Sequence, residues 1–231
     1  TRFSPNTRWP ASISGWIASA PWVLLTAISV TSSGERRAGL HIRAILPRTS
    51  ARREAAFSIT ALYSAGVAFA KTLPALWLIS DARNDAALEQ ALAALPRGSG
   101  LIYRHYHLDG PERLARFRAL RRAAKARGHV VVLAGSALTA RRWGADGIYG
   151  SPRALWPRRV GLIHLATAHD LAELGLAARL GADAALLSPV FPTCSHPGAP
   201  VLGPVRFRLL ARQSRLPVIA LGGMTAGRFR R

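Results

Sequence analysis

The sequence predicts an α/β chain of the (β/α)8 TIM-barrel type, incomplete at its C-terminus and preceded by an N-terminal extension. Three observations predict it. From Pro74 onward, short apolar runs alternate with segments of helical period, at the spacing of about 20 to 35 residues that βα units require. The phrase Gly-Ala-Asp recurs, at Gly144–Asp146 and Gly181–Asp183, each time where a helix gives way to a strand. No strand is followed by G-x-G-x-x-G, so an open dinucleotide-binding sheet lacks its signature. Only seven βα steps are present, and eight residues follow Gly223. Either the fragment ends early or something before Pro74 fills the gap.

Taken in order, Ala75 to Ser80 (ALWLIS) is the first apolar run, ending in Asp81. Asp85 to Leu95 has apolar residues at helical spacing, and Pro96 to Gly100 breaks it. Leu101 to Tyr106 is the second strand. Asp109 is placed to cap the next helix, with Pro111 in its first turn and Gly128 past its end. His129 to Ala134 is the third strand. A short helix over Leu138 to Trp143 leads to a brief fourth strand, Ile148-Tyr149. Val160 to Ala166 is the fifth, and Thr167 is placed to cap the helix that runs to Gly181. Ala184 to Val190 and Pro217 to Leu221 complete the set. Asp146 and Asp183 sit at helix-to-strand junctions, so both are expected to be structural and away from the chemistry.

The chain divides near residue 73, giving an extension (1–73) and a barrel domain (74–231). Before the division only Glu35 and Glu54 are acidic, and Ser, Thr, Pro and Arg follow no clear period. Ala11 to Thr31 is uncharged and long enough to raise a membrane question, but Pro21 sits in its middle and hydroxyl residues dilute it. An extension without a membrane span, with at most one helix, is the expectation. The formal charge is +21 over 231 residues, and every basic residue is arginine except Lys71 and Lys125. Such a field attracts phosphate-bearing partners and, without sequence preference, nucleic acid. Cys194 is the single cysteine, which excludes an intrachain disulfide and a multi-cysteine metal site. A reducing, cytoplasmic compartment is the simplest expectation; the sequence fixes no oligomeric state.

The densest chemistry lies in Gly181–Gly223. There a hydroxyl-rich loop, Thr193-Cys194-Ser195-His196, follows one buried strand, and Gly222-Gly223 follows the next. Hydroxyl donors and bare backbone amides beyond parallel strand ends are the groups that hold a small anion.

Residues 74 to 227 resemble the thiamine phosphate synthase and thiazole tautomerase superfamily, phosphate-binding TIM barrels. GADAALLSPVFPTCSHPGAPVLG followed by PVIALGGMT carries the resemblance. GADGIY, ATAHD, LWLISD and IYRHYH add weaker support. The resemblance implies that Thr193, Ser195, His196, Gly222 and Gly223 hold the phosphate of a thiazole phosphate. It implies that Arg104 holds pyrophosphate, a task suited to forked guanidinium donors, the plainer alternative being a barrel-rim arginine paired with Asp81 or Asp109. Tyr106 stands where the family usually has lysine, and His196 where its phosphate loop has another; Tyr106 and Thr167 are expected at the substrate. His169 matches the acid–base histidine of the tautomerase branch, and an imidazole suits proton shuttling; the plainer alternative is a histidine near a helix start that bonds nearby backbone.

One departure bears on the reaction. Magnesium is the cofactor the resemblance implies, held by Asn-Asp after the third strand and an acidic residue after the fourth. Those places read Ala134-Gly135 and Gly150-Ser151-Pro152, so its usual ligands are missing. No other cofactor is indicated, and no residue is assigned to a metal.

Three readings follow. In the first, the chain condenses hydroxymethylpyrimidine diphosphate with thiazole phosphate, and Arg104 and His169 are its catalytic candidates. In the second, it is a metal-independent thiazole tautomerase driven by His169. In the third it is a non-catalytic barrel that binds a phosphorylated ligand or, through helix Arg113 to Arg127, nucleic acid. The commoner account of that helix is an outer layer, with Leu114, Phe117 and Leu120 inward and its arginines solvated.

Overall fold

The computed structural model describes residues 25–27, 73–193, 198, 200–224 and 228. Eight strands form one sheet in strict chain order: β1 (Leu25–Ala27), β2 (Leu76–Ile79), β3 (Gly100–Tyr103), β4 (Val130–Ala134), β5 (Gly147–Gly150), β6 (Ile163–Ala168), β7 (Ala184–Leu187) and β8 (Val218–Ala220). β2 to β8 are all parallel, and β1 pairs antiparallel with β2. The helices are α1 (Leu88–Ala94), α2 (Gly110–Ala126), α3 (Ala137–Trp143), α4 (Leu171–Arg179) and α5 (Gly203–Gln213), and a 3-10 segment (Ala82–Ala87) precedes α1. All seven strands expected after Pro74 are present.

Alternation along the strands explains the shape. Leu78, Leu101, Tyr103, Val131, Leu133 and Ile148 pack with Leu88, Leu92, Phe117 and Leu120 of the helices. Around β7 and β8, Ala185, Leu187, Val218 and Ala220 do the same with Phe207 and Ala211 of α5. Yet the intervening residues Trp77, Ile79, Ile102, Val132, Leu165, Leu186 and Ile219 are also buried. Among the described residues the helices pack against the face carrying Leu78, Leu101, Leu133 and Leu187. Within the sheet the seven parallel strands β2 to β8 form a curled array in sequential order. β1, from the segment assigned to the extension, lies beside both β2 and β8. The rest of the run from Ala11 to Thr31 lies outside the described residues. Among the described residues no helix is long and apolar enough to cross a membrane.

Local chemistry sets the element boundaries. Asp81 caps the 3-10 segment in a reciprocal capping box with Asn84, and Asp109 caps α2 by accepting from Glu112 N at 3.0 Å. Thr167 does not cap α4. β6 runs on to Ala168, Thr167 is a strand residue, and Asp170 takes the cap, its carboxylate accepting from Glu173 N at 2.8 Å. The same strand starts later than expected because Val160 is almost wholly exposed and Gly161 turns the chain first.

The two Gly-Ala-Asp junctions perform one task twice. Asp146 Oδ2 accepts from Val131 N at 2.7 Å while Asp146 N donates to Val131 O at 2.7 Å. Asp183 Oδ2 accepts from His164 N at 2.8 Å while Asp183 N donates to His164 O at 2.8 Å. Each aspartate thus ties its own strand entry to the first residues of the preceding strand. Both are structural and lie at the end opposite the candidate site.

Candidate functional site

The C-terminal ends of parallel strands are where such folds gather polar groups. Two sets of side chains stand there.

The first joins the ends of β2, β3 and β5. Arg104 Nη2 donates to Asp81 Oδ2 at 2.9 Å, and Arg83 Nε donates to Asp81 Oδ1 at 2.8 Å. The Arg83 bond, with the charges of both arginines, holds the Asp81 carboxyl at about 2, despite burial working the other way. Arg104 N donates to Ser80 Oγ at 2.9 Å, and Arg104 O accepts from Arg113 Nε and Nη2 at 3.0 and 2.7 Å. Backbone and side chain of Arg104 are therefore fixed at three points. Its Nε is buried, and among the described residues no acceptor meets it. Tyr149, at the end of β5, faces this guanidinium. Burial pushes its phenol up, and the Arg104 charge opposes that. Tyr106 is two-thirds exposed, with the Arg104 and Arg113 guanidinium carbons 5.9 and 5.6 Å from its ring centre.

His105 lies beneath this set. Ser80 Oγ is 2.7 Å from its Nδ1, and Asp85 Oδ1 is 2.7 Å from its Nε2. Burial depresses His105, against the pull of Asp85. Burial also works to raise Asp85, but the bonds from His105 and Arg116 prevail and hold it below the usual range. Arg116 further bridges to Glu89. Arg113, Arg116, Arg121 and Lys125 of α2 all bond within the protein, to Arg104 O and Ala134 O, Asp85 and Glu89, Gly144 O, and Asp146 respectively. The basic helix is a brace in this respect. Its inward residues Phe117 and Leu120 are wholly buried.

The second set joins β6, β7 and β8. His169 Nδ1 lies 2.8 Å from Ser188 O, a carbonyl that only accepts, so Nδ1 carries a proton and, in the neutral ring, Nε2 has the lone pair. Glu173 Oε2 accepts from His169 N at 2.8 Å. Thr167 is half-buried on the face opposite Ala166 and Ala168, which pack toward the helices. The loop after β7 runs along the turn after β8: Val190 N donates to Leu221 O at 2.8 Å and Phe191 N to Gly222 O at 3.1 Å. Gly222 and Gly223 have φ of 98° and 60°, the left-handed region. A Cβ on Gly222 would come within 2.9 Å of Pro189 Cα, and one on Gly223 would overlap Pro192 O. Close loop packing thus requires both glycines. The two loops meet at these bonds; Thr193 closes the described run of the first, and Ser195 and His196 lie outside the described residues.

The structure therefore sets His169 against Ser188 at the start of the β7 loop, the β7 loop against the β8 turn, and Arg104 with Asp81, Tyr106 and Tyr149. Sequence reasoning did not single out Ser80, Tyr149 or Ser188. Tyr149 was legible by alternation from the helix-facing Ile148; the other two act through bonds no periodicity reveals.

The residues present do not fit a magnesium site. β4 and β5 end in Ala134-Gly135 and Gly150-Ser151-Pro152, which bring no carboxylate. Among the described residues no three His, Cys, Asp or Glu come together. Asp81 and Asp85, the carboxylates beside Arg104 and His105, are each paired with arginine.

Comparison with known proteins agrees with the geometry. A family model described as thiamine monophosphate synthase matches residues 76–231. A protein of Aquifex aeolicus named "Putative thiamine-phosphate synthase 2" is 41% identical over 59 residues, 26% of this chain and 32% of that protein. The match thus spans about a third of that relative's length. The solved structure of a thiamine phosphate pyrophosphorylase from Pyrococcus furiosus shares the fold, with a TM-score of 0.54 at 24% identity, over 64% of this chain and 74% of that one. With its strands from β2 onward inside the matched region, the chain belongs to the thiamine monophosphate synthase family.

Proposed function

We propose that the chain is a thiamine phosphate synthase-like transferase that joins hydroxymethylpyrimidine diphosphate to thiazole phosphate and releases pyrophosphate. The observation that carries this reading is the Nε–H of Arg104, buried and without an acceptor among the described residues, in an arginine held by Asp81, Ser80 and Arg113. Buried donors are normally paired, and an anionic ligand is the partner that a guanidinium at a strand end can take. When the carbon–oxygen bond of the diphosphate breaks, the leaving group takes the bonding pair. A rigid cation facing that oxygen stabilises the accumulating charge without reorganising. Arg104 has this role, with Tyr106 and Tyr149 beside it. Thr193, Ser195, His196, Gly222 and Gly223 hold the thiazole phosphate, and Thr167 faces the substrate. No step is assigned to magnesium.

In this proposal the curled sheet is a barrel of the TIM type, with β1 in the place of the missing eighth strand, supported by its position beside β2 and β8. The enzyme works on small phosphorylated molecules in the cytoplasm. The test is release of pyrophosphate from the two substrates by the wild-type chain and by Arg104→Ala. Turnover that disappears in the variant supports the reading; a wild-type chain that releases none, or a variant that keeps full turnover, overturns it.

A second reading is favoured by one observation, the tautomer of His169. Its Nε2 lone pair is fixed by the Ser188 bond on an exposed ring at the end of β6, the arrangement of a proton-transfer base. That suits isomerisation of a thiazole carboxylate phosphate without metal.

A further inference from the structure

The Gly222-Gly223 turn carries a charge that belongs to neither reading above. Arg228 Nη1 donates to Gly223 O at 2.5 Å. The Arg228 guanidinium carbon stands 4.6 Å from the centre of the Phe191 ring. One contact ties the cation to the turn after β8, and the other ties it to the loop after β7. The two loops that meet at the candidate phosphate site are thus spanned by a single guanidinium.

The sequence around that site makes the charge consequential. From Gly181 to Val205 there is no lysine or arginine, and His196 is the only residue there able to carry a positive charge. An imidazole is only partly protonated near neutral pH. A phosphate monoester carries roughly 1.5 to 2 negative charges there. Backbone amides and hydroxyls supply partial charges against it, not a whole one. Arginine is always charged, its donors are forked to match a phosphate face, and an aromatic ring beneath it limits the orientations it samples.

We propose that Arg228 is a phosphate-binding residue of this site, selecting the phosphorylated thiazole over the unphosphorylated alcohol. This rests on the assignment of the β7 and β8 loops to the thiazole phosphate. Arg228 supplies the fixed charge that the loop itself lacks.

Calorimetric titration with the thiazole phosphate and, separately, with the thiazole alcohol tests it. Wild-type protein binds the phosphate tighter than the alcohol. In Arg228→Ala, binding of the phosphate weakens about 10- to 100-fold, the usual scale for a charge-assisted bond, and binding of the alcohol is unchanged. Arg228→Lys restores part of the loss, and inorganic phosphate competes with the phosphorylated ligand in wild type but not in Arg228→Ala. If Arg228→Ala does not fold by circular dichroism, Arg228→Gln against Arg228→Lys decides the same point. Equal affinity in the charged and neutral variants overturns the role of Arg228 and leaves the phosphate site standing. A wild-type protein that does not distinguish phosphate from alcohol overturns the phosphate site itself, and this inference with it.

Discussion

Ser80 Oγ lies 2.7 Å from His105 Nδ1, and this contact joins the ends of β2 and β3. The directions of the chain follow from its ends. Asp85 is held below the usual carboxylate range, so it accepts and His105 Nε2 donates. Nδ1 then accepts the Ser80 hydroxyl, whose oxygen in turn accepts from Arg104 N. His105 itself has φ of 39°, a conformation unusual outside glycine, and the relay on both sides of its ring holds it there. Arg104 is thereby set at the strand end before any ligand arrives.

Ser80→Ala removes the middle of that relay and leaves Arg104 N and His105 Nδ1 without their partner. Unsatisfied buried groups cost about 1–3 kcal/mol. The expected result is a loss of that size in urea unfolding, with an unchanged slope. A variant as stable as wild type would show that water or movement repairs the gap, and the relay would lose its positioning role.

Stability should rise with pH over two windows. Burial lowers His105, His129 and His164 below 6.5 in the folded chain. Below 6.5 the unfolded chain binds protons that these folded histidines refuse, so stability falls as the pH drops from about 6.5 toward their folded values. The carboxylates act further down. Asp81, at about 2, and Asp85 and Glu89, also lowered, contribute stability above their unfolded values that is lost as pH falls through the folded ones. Glu89 owes its shift first to the Arg116 bond. Urea midpoints measured from pH 3 to 8 should climb through both windows; a flat profile between pH 5 and 7 would contradict the histidine part.

What the sequence showed and what it hid divide along physical lines. The strands β2 to β8 were legible because each is a short apolar run bounded by Gly, Pro or Asp, and because burial on both faces removes the alternation that an exposed sheet would keep. Asp146 and Asp183 were legible as structural because a repeated phrase at a repeated junction points to geometry. Two boundaries misled. Thr167 is a good cap residue, but Asp170 stands where the helix starts, and strand pairing with β7 extends past Thr167. The contacts of Ser80 with His105, 25 residues away, and of His169 with Ser188, 19 away, depend on which strands pair and in what register, and no period in the chain encodes them.

Gly223→Ala is expected to damage the site more than an exposed loop substitution would. The added Cβ overlaps Pro192 O, and φ of 60° disfavours any side chain. Either the turn or the β7 loop must shift, at a cost of about 1–3 kcal/mol for the backbone alone. The measurement is thermal unfolding together with affinity for the thiazole phosphate. Both should fall. If stability falls and affinity does not, the turn is a packing device and the phosphate lies elsewhere.

His169→Ala separates the two enzymatic readings. The ring is exposed, so its removal leaves the core intact; only the bond to Ser188 O is lost. With Nδ1 occupied as donor, Nε2 is the atom left to take a proton from a carbon acid and return it to the neighbouring position. Positioned acid–base groups contribute about 10²- to 10⁴-fold. Isomerisation of the thiazole carboxylate phosphate without added metal should fall by that factor in His169→Ala and persist in Arg104→Ala. Pyrophosphate release should show the reverse sensitivity, since the synthase reading sets Arg104 at the leaving group, whereas His169 follows β6 and lies beside the β7 loop. A chain in which His169→Ala isomerises as fast as wild type has no use for this proton shuttle, and the tautomerase reading goes with it.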